Sequence, residues 1–259
     1  MKTYCFFLDI DDTLIPTGYG CVSAENLSAI KAAKALGCKF FINTGRPYCD
    51  IPKEFFDTSY FDGICCGGDY VEYKGKIIYS SFLPKEDAKS LFTALMSMDK
   101  KIDFNIGGMR NRYYIGEKMP HYHDDIYLPI RSADELDTVF DGDKLQKYSL
   151  CQNGEPDVDV KREIGKYFTV ITHPTYTEGF LPGHDKAFLI RKAEEILGLS
   201  HESTVSVGDS LNDVDMLRYA AVSVAMGNAP DAVKSICSFV TDTTENNGVA
   251  KAIKSLICK

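Results

Sequence analysis

The sequence predicts an α/β protein, built on a parallel β-sheet and carrying a smaller inserted α+β domain. Near both ends of the 259-residue chain, short apolar runs alternate with segments of helical period, a pattern typical of βαβ units. The middle of the chain instead mixes strand-like and helix-like segments with frequent glycine, proline and charge. At about 150 residues per domain, this length allows one to two domains.

The first half of the predicted core contains three strands and one helix. Residues 4–8 form a continuous apolar run, as expected of a strand buried in a parallel sheet. A helix is predicted at 23–36, with Ser23 as its N-cap. Further strands are predicted at 39–42 and 63–66.

The same pattern returns near the C-terminus. It predicts a helix at 185–197 with Gly198 just beyond it, a strand at 204–207, a helix at 213–220 and a strand at 222–225. Because the two ends of the chain share this style, segments 1–82 and 183–259 are predicted to form one core.

The intervening segment, 83–182, is predicted to be the inserted α+β domain. It contains a predicted helix at 85–98, strands at 112–115 and 147–151, a turn at Asn153-Gly154 and a helix at 155–166. Loop residues near Pro84 and Pro182 suggest two short linkers. His121 and His123 could ligate a metal, but a polar segment that touches substrate is the favoured interpretation.

Composition narrows the classes of partner. The formal charge of −8, from 37 acidic and 29 basic side chains, leaves no basic stripe for a phosphate backbone and disfavours nucleic-acid binding. No apolar run approaches the roughly 18 residues needed to span a bilayer, and the start of the chain lacks the features of a signal peptide. The sequence therefore predicts a cytoplasmic protein with no membrane partner.

The strongest local signal is a pair of acids, Asp9 and Asp11, directly after the first strand. The carboxyl ends of parallel strands form the ligand-binding edge of a sheet, so both acids would lie at a site entrance. Two carboxylates this close repel each other unless a cation or a proton compensates them. A turn rich in capping acids is the alternative, although a single Asp would serve such a turn.

Two further segments reach the same edge. Thr44 and Gly45 follow the second strand and offer a hydroxyl and backbone amides to a phosphate, although Thr-Gly at this place also suits a tight turn. After strand 204–207, Asp209 could ligate a hard cation and Asp213 could support that ligand set. Alternatively, Asn212 or Asp213 caps the next helix; we expect a cap in addition to the site.

Lys186 stands where the inserted segment rejoins the core. By itself it would be interpreted as a surface lysine. Together, the four acids, Thr44 and Lys186 suit oxygen-ligated Mg²⁺ and a phosphoryl group. The motifs contain no His or Cys, so zinc is disfavoured.

In this order, the motifs resemble those of the haloacid dehalogenase-like hydrolase superfamily: DxDxT after the first strand, Thr or Ser after the second, a Lys, then GDxxND. Segments 224–229 and 247–249 are similar to the Cof-type phosphatase branch, which has an α+β cap. The resemblance implies a Rossmann-like core with helices on both faces and a mobile cap. One departure is the run 65–68, Cys-Cys-Gly-Gly, where many relatives have Asn-Gly, so an amide side chain that faces the cap is missing.

The resemblance also implies roles for the candidate residues. Asp9 would be the nucleophile that forms an aspartyl-phosphate, and Asp11 the general acid and then the general base. Asp9, the backbone carbonyl of Asp11, and Asp209 would ligate Mg²⁺, supported by Asp213. The phosphoryl group would be bound by the remaining candidates, Thr44, Gly45, Lys186 and Asn212.

The predicted function is Mg²⁺-dependent hydrolysis of a small phosphorylated metabolite. Sugar phosphates are the leading class, with nucleotide and cofactor phosphates behind them. A phosphomutase that passes the phosphoryl group to a second sugar hydroxyl is the nearest alternative. A receiver-type signalling module and a non-catalytic phosphometabolite-binding protein are further alternatives, disfavoured because neither needs a general base two residues after the nucleophile.

Overall fold

The computed structural model describes residues 3–16, 20–116, 124–152 and 154–258. Three residues named in the sequence analysis, His121, His123 and Asn153, lie outside these ranges. Within them, no helix has both the length and the apolarity that crossing a bilayer requires.

The first part of the chain forms strands around one helix, and the predicted elements there are confirmed. The Ser23 hydroxyl caps the helix by accepting a hydrogen bond from the Asn26 amide at 3.1 Å. Two strands that were not predicted follow. The elements are β1 (Cys5–Leu8), α1 (Ala24–Ala35), β2 (Lys39–Thr44), β3 (Gly63–Cys66), β4 (Tyr70–Tyr73) and β5 (Lys76–Ser80).

The middle of the chain forms a second set of strands and helices. The helix predicted at 155–166 is shorter, because the Asp157 carboxylate caps it by accepting from the Asp159 amide at 2.9 Å. Several short strands here had no sequence signal. The elements are α2 (Lys85–Met96), β6 (Phe104–Gly108), β7 (Arg112–Ile115), β8 (Tyr127–Pro129), α3 (Leu136–Val139), β9 (Leu145–Cys151), α4 (Val158–Ile164), β10 (Ile171–Thr172) and β11 (Tyr176–Gly179).

The last part returns to the style of the first. The helix predicted at 213–220 begins at Val214, because Leu211–Asp213 form a 3₁₀ turn before it. The final helix was not predicted. The elements are α5 (Lys186–Leu197), β12 (Thr204–Gly208), α6 (Val214–Tyr219), β13 (Val222–Ala225), α7 (Asp231–Lys234), β14 (Phe239–Val240) and α8 (Gly248–Ile257).

The core sheet has the strand order β14-β13-β12-β1-β2-β3-β4-β5. Its strands pair in parallel from β14 to β3, and β4 and β5 extend that edge as an antiparallel hairpin. The hairpin turn is Lys74-Gly75, with φ of 50° and 72°, a conformation that matches the twist of paired strands. The sheet is therefore mixed and not wholly parallel.

Aromatic residues fill both sides of this sheet. Phe6 and Phe40 stack at 4.7 Å on the side covered by α1 and α8, and Phe7 and Phe41 stack at 5.0 Å on the side covered by α5 and α6. Because successive side chains of a strand point to opposite faces, each central strand contributes to both layers. This arrangement confirms the prediction of a sheet with helices on both faces.

The inserted segment forms its own sheet, in the order β10-β11-β9-β6-β7-β8. Its pairs are antiparallel except for β7 with β8. One face packs on α2 and α4 through Phe92, Phe104, Tyr148 and Ile164. We refer to this α+β unit as the cap. Its predicted boundaries, 83–182, remain a proposal.

The cap is joined to the core by buried polar contacts. The Arg112 guanidinium of β7 donates to the Asp50 carboxylate of the core, with Nε at 2.7 Å from Oδ2, and both residues are buried. Gln146 of β9 donates to the Asp69 carboxyl at 2.8 Å. These contacts hold the cap sheet against the core segments that follow β2 and β3.

Arg112→Met is expected to lower the free energy of unfolding by about 3 to 5 kcal/mol, because it leaves a buried carboxylate without its guanidinium partner. Urea unfolding at pH 7 measures this. The double variant Asp50→Asn/Arg112→Met should lose less than the single variant, since no uncompensated charge remains. A single variant within about 1 kcal/mol of the wild type would contradict this account.

Candidate active site

The loop after β1 is tightly fixed. Asp9 follows the strand, and the chain turns at Asp12, which has φ of 55°. The Asp12 amide donates to the Ile15 carbonyl at 2.7 Å, while its own carbonyl accepts from Asn228 Nδ2 at 2.8 Å and from the Thr244 hydroxyl. The acids after β1 therefore stand on a backbone that the C-terminal part of the chain holds in place.

Lys186 lies at the centre of the predicted residues. Its Nζ donates to Asp9 Oδ1 at 2.6 Å, to Asp213 Oδ1 at 2.5 Å and to Asn212 Oδ1 at 3.2 Å. It is the first residue of α5, whose N-cap is Asp185. Burial alone would lower the pKa of Lys186, but the carboxylates of Asp213 and Asp9 raise that pKa above its ordinary value. Lys186 is thus a buried ammonium ion.

Three buried carboxylates lie together here, and two of them contact this ammonium. Among the described residues, Asp9, Asp209 and Asp213 each place one carboxylate oxygen within 4.8 Å of the others. Burial and then the Asp213 carboxylate raise the pKa of Asp209 to about 7, and burial raises that of Asp9 despite Lys186. One ammonium does not compensate three acids, and the donors are all oxygen, so the cluster fits a hard cation such as Mg²⁺.

Asp213 forms the N-terminal capping contact that was one of its two predicted roles, and it also contacts Lys186. Its Oδ2 accepts from the amides of Asp209 and Ser210 at 3.0 Å each, and with Ser210 it forms a capping box. Its other oxygen contacts Lys186. Asn212 Oδ1 accepts from the Ser210 hydroxyl at 2.8 Å in addition to Lys186. The expected helix-capping contact therefore exists, and Asp213 and Asn212 also contact Lys186 in the charged cluster.

Asp11 does not join that cluster. Its carboxylate forms a bidentate pair with Arg46, whose Nε lies 2.8 Å from Oδ2 and whose Nη2 lies 2.6 Å from Oδ1. Arg46 Nη1 also donates to the Asp50 carbonyl at 3.1 Å, and the Asp50 side chain binds Arg112 of the cap. Sequence reasoning did not single out Arg46, although it directly follows Thr44 and Gly45.

The segment after β2 forms the tight turn that was the alternative interpretation. Thr44 is buried at the end of β2, and its hydroxyl accepts from the Arg46 amide at 3.1 Å. A methyl group built on Gly45 would lie 3.8 Å from Lys147 Nζ of the cap and 4.0 Å from Asn212 Nδ2 of the core. Gly45 therefore lies between the cap and the charged cluster.

The Gly67-Gly68 run, where the resemblance had implied an amide side chain, is a contact between the core and the cap. Both glycines have positive φ, 61° and 81°, a region that favours glycine. A Cβ on Gly67 would lie 2.9 Å from Gln146 Nε2, and a Cβ on Gly68 would lie 2.9 Å from Phe180 Cδ1. At this loop, cap side chains occupy the space that a larger residue would need.

This chain is similar to known proteins over nearly its whole length. The family model described as haloacid dehalogenase-like hydrolase matches residues 6–253. A 5-amino-6-(5-phospho-D-ribitylamino)uracil phosphatase of Bacillus subtilis (strain 168) is 30% identical over 254 residues, which cover 95% of this chain and 93% of that protein.

Two further similarities span nearly the whole chain. A pyridoxal phosphate phosphatase of Escherichia coli (strain K12) is 26% identical over 283 residues, covering 98% of this chain and 99% of that protein. Among solved structures, a sugar phosphatase of haloacid dehalogenase subclass IIB is similar with a TM-score of 0.81 and 26% identity. That match covers 99% of this chain and 100% of the other.

Proposed function

Because this chain belongs to the haloacid dehalogenase-like hydrolase family and is a phosphatase, we propose that it hydrolyses a small phosphorylated metabolite, a sugar phosphate first, with Mg²⁺ and through an aspartyl-phosphate. The observation that carries this proposal is the position of Lys186, which contacts Asp9 and Asp213 beside Asp209. This site combines a nucleophilic carboxylate with fixed positive charge at the edge of the core sheet.

In the first step, a carboxylate oxygen of Asp9 bonds to phosphorus while the bond from phosphorus to the ester oxygen breaks. The Lys186 ammonium stabilises negative charge on the transferring phosphoryl group. Thr44, Gly45 and Asn212 also bind this phosphoryl group. Asp11 gives its proton to the departing ester oxygen, so that an alcohol leaves and not an alkoxide.

In the second step, Asp11 acts as a base. It takes a proton from water as the water oxygen bonds to phosphorus, and the bond from phosphorus to Asp9 breaks, which regenerates Asp9 and releases phosphate. The bidentate contact with Arg46 fixes the orientation of the Asp11 side chain.

Asp9, the backbone carbonyl of Asp11, and Asp209 would hold Mg²⁺, with Asp213 supporting them. When bound, the cation neutralises charge on the phosphoryl oxygens and lets the acids approach a phosphate dianion. The raised pKa of Asp209 and the crowding of three carboxylates support this assignment.

Phosphate release from a panel of phosphorylated metabolites tests the proposal. We expect release from sugar monophosphates, its loss after exhaustive chelation and its return when Mg²⁺ is added. The physical reason is that Asp9 and Asp209 repel a phosphate dianion when no cation is present. Full activity after chelation contradicts the cofactor assignment, and a positional isomer of the sugar phosphate formed without phosphate release indicates a phosphomutase.

A further inference from the structure

The cap sheet has an unusual second face. Its first face is apolar and packs on α2 and α4. The register pairs Asn105 with Ser149 and Ser149 with Glu178, so these side chains share the opposite face. That face is also buried, yet it is polar. We call it the polar cap face: Asn105, Arg112, Lys147, Ser149 and Glu178, each at most 6% exposed.

The polar cap face is directed at the core. A Cβ on Gly107 of β6 would lie 2.4 Å from Pro47 Cγ, and Lys147 Nζ approaches Gly45 beside Asn212. Tyr176 of β11 is also near the site: burial and then the charges of Glu178 and Asp11 raise the pKa of its hydroxyl. The middle of this face therefore lies over the proposed phosphoryl site.

At that point stands a buried ion pair, Lys147 with Glu178. His173 Nε2 lies 3.2 Å from Glu178 Oε1, and Lys147 Nζ lies 5.0 Å from the centre of the Phe180 ring. Although burial opposes ionisation, Lys147 and His173 lower the pKa of Glu178 to about 2. Glu178 is therefore a carboxylate at neutral pH.

A buried ion pair contributes little that an apolar pair of similar volume would not, because desolvation offsets much of the attraction between the charges. Its position beside the phosphoryl site indicates a role in binding. The pair offers donors on Lys147 and acceptors on Glu178 with no net charge. Neighbouring hydroxyl groups, each both donor and acceptor, match such a pair, whereas a second anionic group would meet the Glu178 carboxylate.

We propose that Lys147 and Glu178 determine specificity by binding the leaving group, and that they select an uncharged polyhydroxylated one. Lys147 donates to the oxygen of one hydroxyl, and Glu178 accepts from a neighbouring hydroxyl. Substrates with a second phosphate are disfavoured because that phosphate faces Glu178. This inference rests on the proposed phosphatase function and names the substrate class within it.

The test compares kcat/KM for glucose 6-phosphate, ribitol 5-phosphate, fructose 1,6-bisphosphate and 4-nitrophenyl phosphate. The better of the two monophosphates should exceed the bisphosphate by about tenfold or more. Lys147→Met should lower kcat/KM for that monophosphate by about 10- to 100-fold, mainly through KM, because a charged hydrogen bond is lost. The aryl ester, which lacks hydroxyls, should change by less than about threefold.

Glu178→Gln should lower the ratio of kcat/KM for the monophosphate to kcat/KM for the bisphosphate by about tenfold, since it removes the charge that repels the second phosphate.

Lys144→Met is the matched control, because Lys144 is an exposed cap lysine just before β9. Its kcat/KM values should stay within about twofold of the wild type. Lys147→Arg and Glu178→Asp keep both charges, so they fold if charge is what the cap needs, and they should still lose activity on the monophosphate selectively.

Several results would overturn the proposal. They are a wild type that prefers the bisphosphate, a wild type active on the aryl ester alone, or equal losses on sugar and aryl substrates in the Lys147 variants. A wild type inactive on every phosphate ester would instead contradict the proposed phosphatase function. The two failures are therefore distinguishable in one set of assays.

Discussion

The Asp11→Asn variant is expected to release one equivalent of 4-nitrophenol from 4-nitrophenyl phosphate and then to stop. The aryl leaving group departs without a proton, so the first step proceeds, but no base remains to activate water for the second. The enzyme should accumulate as an aspartyl-phosphate on Asp9. On a sugar phosphate, whose alkoxide leaving group needs a proton, the rate of the first step should already fall by about 10²- to 10⁴-fold in the same variant.

The Asp9→Asn variant should show no burst of 4-nitrophenol, because an amide does not replace the carboxylate nucleophile. The expected loss of turnover is about 10⁴-fold or more on every substrate. Rapid-quench measurement of nitrophenol against enzyme concentration distinguishes the two variants. Asp215→Asn, which removes an exposed acid on α6, is the matched control and should behave as the wild type.

The structure adds one check to this experiment. Asn at position 11 loses the bidentate contact with Arg46, so a melting temperature should be measured alongside the kinetics. Steady turnover without a burst in the Asp11 variant, or a normal burst in the Asp9 variant, would show that the two roles are wrongly assigned.

Lys186→Met should lower kcat by about 10³-fold, because the ammonium that faces Asp9 is the only side-chain cation described in contact with that carboxylate. It should also lower the free energy of unfolding in the absence of Mg²⁺ by about 3 to 5 kcal/mol, since Asp9 and Asp213 lose the charge between them. The burial of Lys186 between two acids makes both effects large.

Mg²⁺ separates the two effects of Lys186→Met. A cation among Asp9, Asp209 and Asp213 replaces part of the lost positive charge, so the melting temperature should recover partly when Mg²⁺ is added. Turnover at saturating Mg²⁺ should not recover, because the phosphoryl group still lacks its ammonium contact. Lys192→Met is the control, since Lys192 lies on the same helix and pairs with Glu195 at the surface. Near-normal turnover with a large loss of melting temperature would make Lys186 purely structural.

The sequence by itself determined the core and the order of its charged residues. Several features are local in the sequence: the apolar run of β1, the helix N-cap at Ser23 and the acids that follow β1 and β12. The parallel βαβ pattern brings the ends of the strands to one edge of the sheet. Asp9, Thr44 and Asp209 could therefore be predicted to stand near one another before any contact was known. The antiparallel hairpin of β4 and β5 was missed, although Lys74-Gly75 is a local turn signal.

Only the tertiary structure decided the electrostatic partners. Arg46 with Asp11, Arg112 with Asp50, and Lys147 with Glu178 join residues 31 to 62 positions apart in the chain. The Arg46–Asp11 pair depends on how the loops after β1 and β2 approach each other. The other two pairs depend on how the cap strands pair and on how the cap sheet lies against the core. None of this is encoded in the local period of side chains. The sequence around a strand lysine such as Lys147 does not indicate its charge partner. That partner is set by strand register and by the burial of the sheet face on which the lysine lies.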